Sequence, residues 1–125
     1  MTDQLERNLA TRFTFMKHPH PEKKEMGILC ECGDGWYDLI VNLCQEIETY
    51  CLAHNVDMNT IEVLQVKEKY GELRFYLNHV PAGLYDITNK YQKLSKDVCE
   101  VCGEKGERRG RTWIETLCDR CYVGK

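Results

Sequence analysis

Apolar positions in the first half of the chain recur at helical spacing. Between residues 2 and 16 they fall three or four positions apart, which predicts a first helix with Thr2 as its N-cap. After a proline-containing loop at 17–27, residues 36–54 carry a broad apolar face, and Asp34 stands where it can cap this second helix. We therefore expect the second helix to lie at the centre of the core.

The apolar pattern then changes from helical spacing to alternation. Residues 61–67 are rich in β-branched and apolar side chains, and residues 72–79 alternate apolar with polar. Gly71 lies between the two runs and can adopt a positive φ, so the pattern predicts an antiparallel hairpin. Helical spacing returns at 84–98 and predicts a third helix that runs directly into Cys99.

These elements predict an α+β fold of two parts. Residues 1–98 would form a body of three helices packed on the antiparallel β-hairpin. Residues 99–125 would form a small cysteine module, in which the stretch GRTWIETL at 110–117 is expected to be a strand. Its apolar residues, Trp113 among them, are the expected core formers of this module.

Composition and charge narrow the class of protein. The 125 residues are 42% hydrophobic and 30% charged, with a formal net charge of −3, as in a soluble globular domain. No apolar run is long enough to span a membrane, and the polar N-terminus does not resemble a signal peptide, so we expect a cytoplasmic protein. The charge is not that of a basic nucleic-acid-binding domain.

Four of the eight cysteines form two CxxC pairs near the C-terminus. Cys99 and Cys102 are separated from Cys118 and Cys121 by fifteen residues, a spacing typical of a tetrahedral zinc site. Four sulfur ligands leave no coordination position for water or substrate, so the predicted zinc is structural. The pattern suits a zinc ribbon or a truncated treble clef.

The other cysteines allow more than one interpretation. Cys44 and Cys51 lie seven residues apart on the predicted central helix and are expected to be buried as small apolar side chains. For the remaining two, Cys30 and Cys32, the alternatives are free thiols or a second zinc site. Its candidate ligands are His18, His20, Cys30 and Cys32.

The segment ECGDGWYDLI at 31–40 has the composition of an enzyme active site, since Cys32, Asp34 and Asp38 surround a glycine turn. A cysteine nucleophile needs a histidine base, and no spacing in the chain indicates one. Turn formation, helix capping and core packing account for the same residues. We therefore predict no catalytic residues and no small-molecule substrate.

Three motifs together carry a family resemblance: ECGDGWYDLI, VKEKYGELRFY and the terminal CxxC pairs. They resemble a family of short proteins of uncharacterised function from bacteria and their phages, and the similarity spans most of the chain. The resemblance implies a phage or prophage setting, and therefore the cytoplasm of a host cell. In such a setting, small acidic proteins often act by covering the surface of a host protein.

Two binding functions follow as hypotheses. The first is a zinc-containing protein that docks on a host protein, as an inhibitor of a defence nuclease or of a transcription component. The alternative is an accessory protein that binds nucleic acid through the zinc hairpin, meaning the chain between the two CxxC pairs, and through the Arg74 face of the β-hairpin. The candidate partner-binding residues are Arg74, Tyr76, Arg108, Arg109, Arg111 and Trp113.

Overall fold

Four α-helices and two small sheets make up the described part of the chain, residues 1–23 and 26–124 of a computed structural model. The body contains α1 (Asp3–Arg12), β1 (Cys30–Glu31), α2 (Tyr37–Ala53), β2 (Val63–Lys69), β3 (Glu72–Leu77) and α3 (Ala82–Ser95). The cysteine module contains β4 (Glu107–Arg109), β5 (Glu115–Leu117) and α4 (Asp119–Val123). The predicted α+β class is confirmed.

Helix α1 begins as predicted and ends early. The hydroxyl of Thr2 accepts a hydrogen bond from the Leu5 amide at 3.4 Å and caps the first turn. The helix was expected to continue to Met16, but Phe13 is extended at φ −126° and a single 3₁₀ turn follows. Leu9, Phe13 and Met16 are nevertheless fully buried, because the change of backbone keeps all three on the core side.

Helix α2 crosses the middle of the core. Ile40, Leu43 and Ile47 are fully buried along it, and Cys44 and Cys51 are buried among them as predicted. The prediction that Asp34 caps this helix is wrong. Helix α2 starts only at Tyr37, after a 3₁₀ turn at Asp34–Trp36, and has no side-chain cap. The Asp34 carboxylate accepts a hydrogen bond from the Thr2 amide at 2.9 Å instead, and so joins the starts of α1 and α2.

The predicted hairpin is confirmed and is part of a three-stranded sheet. Strands β2 and β3 are antiparallel and joined by Tyr70 and Gly71, whose φ values of 54° and 78° are those of a type I′ turn. Strand β1, which pairs in parallel with β2, is not predicted by the sequence pattern. Two residues are too short a strand to show alternation, so no sequence pattern could reveal it.

The connection between α3 and the cysteine module also differs from the prediction. Helix α3 ends at Ser95, and Val98 then forms an isolated bridge with Lys105, so the helix does not run into Cys99. The Ser95 hydroxyl accepts a hydrogen bond from the Leu73 amide at 2.8 Å and joins the end of α3 to β3. This contact places the start of the cysteine module beside the β2–β3 turn.

The apolar core lies in the body, and the cysteine module has a small cluster of its own. Cys99, Leu117 and Cys118 form that second cluster. The cysteine module therefore has little apolar burial to stabilise it.

Among the residues described, no helix is both long enough and apolar enough to cross a membrane.

Candidate metal centre

The four cysteines of the two CxxC pairs converge on one point. The sulfur atoms of Cys99, Cys102, Cys118 and Cys121 all lie within 4.8 Å of one another. The Cys102 and Cys118 sulfurs are 3.6 Å apart, close to the separation of about 3.8 Å expected for tetrahedral ligands at a Zn–S distance of about 2.3 Å. The four thiols present therefore fit a metal ion with four sulfur ligands.

Electrostatics make the metal-free cluster unfavourable. Burial raises the pKa of Cys99, but backbone hydrogen bonds from Cys118, Cys102 and Val101 outweigh this effect and lower the pKa below its ordinary value, to about 6. The neighbouring Cys118 thiol raises the pKa of Cys121 to about 12. Several thiolates cannot lie this close together without a cation, and a divalent metal would remove the conflict by binding all four as thiolates.

A cation also lies beside the cluster. The guanidinium of Arg120 forms a hydrogen bond with the Cys102 side chain, and the negative charge of this and the neighbouring thiols raises the pKa of Arg120. A divalent metal with four thiolates carries a net charge of −2, so a neighbouring arginine offsets part of it.

The first CxxC pair forms a turn at residues 99–102, the first cysteine knuckle, which packs against residues 31–40, the segment with the composition of an active site. The Gly35 amide donates to the Glu100 carbonyl at 2.8 Å, and the Gly33 amide donates to the Glu100 carboxylate at 2.9 Å. A Cβ atom at Gly35 would lie 2.2 Å from the Cys99 carbonyl oxygen, and one at Gly33 would lie 2.2 Å from the Glu100 carbonyl oxygen. Both positions therefore need glycine because two backbones meet there, a reason that the single sequence could not show.

The second contact between body and module lies at the β2–β3 turn. The Thr116 hydroxyl donates to the Gly71 carbonyl at 2.6 Å, and the Arg108 guanidinium donates two hydrogen bonds to the Tyr70 carbonyl, at 3.2 and 2.8 Å. Within the body, the indole of Trp36 donates to the carbonyl of Val98, the residue just before the module, at 2.8 Å. The module is thus fastened to the body at the first knuckle and at the β2–β3 turn.

The predicted second metal site is not assembled. His18 and His20 stack on each other at 5.3 Å between ring centroids near the surface, whereas Cys30 and Cys32 are buried in the core. Within residues 1–23 and 26–124, the four C-terminal cysteines form the only group of three or more such side chains close enough to hold a metal ion. The proline-containing loop keeps the two histidines on the surface, away from the buried thiols.

The cysteine-nucleophile alternative finds no support in this geometry. Burial raises the pKa of Cys30 to about 12 and raises that of Cys32 further, so both are neutral thiols near pH 7. The Asp34 carboxylate accepts a hydrogen bond from the Thr2 amide. Residues 31–40 therefore serve as a structural support for the cysteine module.

The candidate partner-binding residues fall into two groups. Trp113 is 75% exposed, which corrects its expected place in the module core, because Gly110–Ile114 form a loop and only Glu115–Leu117 a strand. Tyr76 and Arg111 are also exposed. Arg74, Arg108 and Arg109 are held by intramolecular partners: Arg74 by Glu72, Arg108 by Tyr70, and Arg109 by Leu117 and Asp119.

Trp113 shares a cleft with a second exposed aromatic residue, which no sequence pattern places near it. Tyr70, 60% exposed, lines a shallow cleft of about 300 Å³ together with Lys69 and Trp113. The two aromatic residues are 43 positions apart in the sequence and become neighbours only because the module docks on the hairpin turn.

Comparison with protein-family models, with curated proteins and with solved structures found no match to this chain. The resemblance drawn from the three motifs stays a prediction.

Proposed function

We propose that the protein is a zinc-stabilised binding protein that acts by docking on a partner protein. Trp113 carries the proposal. A large, mostly exposed indole that lines one cleft with a second exposed aromatic residue, Tyr70, leaves apolar surface in water, and aromatic anchors of this kind dominate the energetics of protein interfaces. The setting implied by the motif resemblance makes the partner a host protein in the cytoplasm, such as a defence nuclease or a transcription component.

Zinc is the metal we propose for the four-cysteine group. Four thiolates from two CxxC pairs are a common structural zinc set, and the ion has no free position at which to bind a substrate. Its role is to hold the module that carries Trp113. Native mass spectrometry with metal analysis should find one zinc per chain, and none in a Cys118→Ser, Cys121→Ser variant; a second zinc, or iron in its place, would contradict the proposal.

Docking is tested with a matched pair of surface variants. Trp113→Ala and Leu52→Ala each remove an exposed side chain, 75% and 72% accessible, but Leu52 lies near the end of α2 in the body. Affinity capture from lysate of the source cells should recover a stoichiometric protein partner with the wild type and Leu52→Ala. The partner should be lost with Trp113→Ala, and equal recovery by both variants would refute docking through this surface.

A further inference from the structure

Outside the metal centre, the best candidate for a binding site is the surface around the cleft that Tyr70 and Trp113 line. We call it the aromatic-basic surface. It comprises Tyr70, Trp113, Lys69, Arg108, Arg74 and Lys96. Its residues come from the hairpin, from α3 and its end, and from the cysteine module. The inference concerns what this surface binds, and it rests on the proposed docking function.

The Tyr70 side of the aromatic half is held in place by several contacts. Tyr70 occupies a turn position with φ 54°, and its carbonyl is held by two hydrogen bonds from Arg108. Thr116, buried beneath the turn, fixes the adjacent Gly71 carbonyl. The Lys69 ammonium lies 5.7 Å from the centroid of the Tyr70 ring. An incoming apolar side chain would therefore meet, on the Tyr70 side, a wall whose backbone is already held, which lowers the entropic cost of binding.

The basic half holds an excess of positive charge around one carboxylate. The Glu72 carboxylate, 13% exposed, lies 3.1 Å from Arg74, 3.8 Å from Lys96 and 3.9 Å from Arg108. Gln92 donates a further hydrogen bond to the same carboxylate at 3.1 Å. Three cations surround one anion, and the Nε of Arg74 is buried without a hydrogen-bond partner among the described residues. Glu68, which also lines the cleft, is a second carboxylate beside this cluster, so the four cations of the aromatic-basic surface face two carboxylates and a net positive charge remains.

We propose that the aromatic-basic surface binds an acidic peptide segment of the partner protein, with an apolar side chain of that segment in the cleft between Tyr70 and Trp113. Carboxylates of the segment would pair with Lys96 and Arg108, as Glu72 does within the chain, and with Lys69 at the cleft. The two exposed cations, Lys96 and Arg108, each keep 40% of their side-chain surface accessible for this pairing.

The charge of the whole molecule favours a short acidic segment over nucleic acid. The chain carries a formal −3 although this surface is basic, so the remaining surface is acidic. A zinc ion with four thiolates adds a further net −2 in the adjacent module. A nucleic-acid strand extends well beyond one Debye length, about 8 Å at physiological salt, and would meet that acidic surface. A short peptide touches only the basic part.

The test uses three fluorescein-labelled probes and the zinc-loaded protein. The probes are an acidic peptide, GDEDLFDEDG, its basic counterpart, GKKKLFKKKG, and a twelve-nucleotide oligothymidylate. We expect the acidic peptide to bind and to quench the emission of exposed Trp113, while buried Trp36 is unaffected. The basic peptide should not bind. Preferred binding of the oligothymidylate would overturn the proposal and favour the nucleic-acid alternative.

Variants locate the binding. Trp113→Ala and the double variant Lys69→Glu, Lys96→Glu should each weaken acidic-peptide binding about tenfold or more, as expected for central interface residues. Leu52→Ala should leave it unchanged. The lysine variant spares Arg108, whose loss would disturb the turn. Circular dichroism confirms that each variant folds.

The outcomes separate this inference from docking itself. If capture of a cellular partner depends on Trp113 but the acidic peptide does not bind, the inference fails and docking stands. If capture does not depend on Trp113, docking through this surface fails as well.

Discussion

Gly33 and Gly35 show how single residues position the metal centre. Each lies against backbone atoms of the first cysteine knuckle, and the amides of both donate to Glu100. Their glycine-rich sequence resembled a catalytic turn because a close backbone approach and a flexible active-site turn require the same residue. Neither has a positive φ, so the requirement comes from the neighbouring chain and not from the local backbone.

Replacing Gly35 with alanine should loosen the cysteine module. The new Cβ would fall 2.2 Å from the Cys99 carbonyl oxygen, so the knuckle must shift. We expect a loss of about 2 to 3 kcal/mol in the free energy of unfolding and faster release of the metal to a chelator. Urea unfolding and a colorimetric chelator assay measure both. The control is Gly124→Ala, whose Cβ would lie 3.4 Å from the Arg120 carbonyl oxygen, an ordinary contact distance. Equal effects of the two variants would contradict this interpretation.

At the scale of secondary-structure elements, the features that could be predicted are those that depend on a local sequence pattern. The hairpin and the central helix follow from alternation and helical spacing, and the four cysteines that could hold a metal ion follow from CxxC spacing. Strand β1 and the early end of α1 depend on contacts between distant segments. The same is true of the cleft, since no pattern relates Tyr70 to Trp113.

The division of the cysteines between elements has a chemical consequence. Cys30, Cys32, Cys44 and Cys51 are buried in the body, and burial raises the pKa of each thiol, so none is a reactive thiolate near pH 8. Cys99, Cys102, Cys118 and Cys121 should be protected only by the metal.

The number of reactive thiols should therefore rise in two steps. With Ellman's reagent at pH 8, we expect none of the eight cysteines to react in the zinc-loaded protein. Four should react once a strong chelator is added, since four belong to the metal group. All eight should react in denaturant. Reaction of all eight on chelation alone would mean that the body also unfolds without the metal.

For the whole molecule, the role we propose for the metal is to hold the module that forms part of the proposed binding surface. The apolar core belongs to the body, and the module's own buried cluster consists of Cys99, Leu117 and Cys118. Metal ligation of this kind can contribute on the order of 10 kcal/mol, which the small cluster cannot supply. Loss of the metal should therefore release the module, separate Trp113 from Tyr70 and leave the body folded.

Hydrogen exchange measured by mass spectrometry on the zinc-loaded and chelated protein tests this claim most directly. We predict that chelation abolishes protection in residues 99–123 and in the β2–β3 turn, where Thr116 and Arg108 hold the backbone. Helix α2 should keep its protection, because its buried face packs within the core of the body. Unchanged protection of residues 99–123 after the metal has left, or simultaneous loss of protection in α2, would contradict the account.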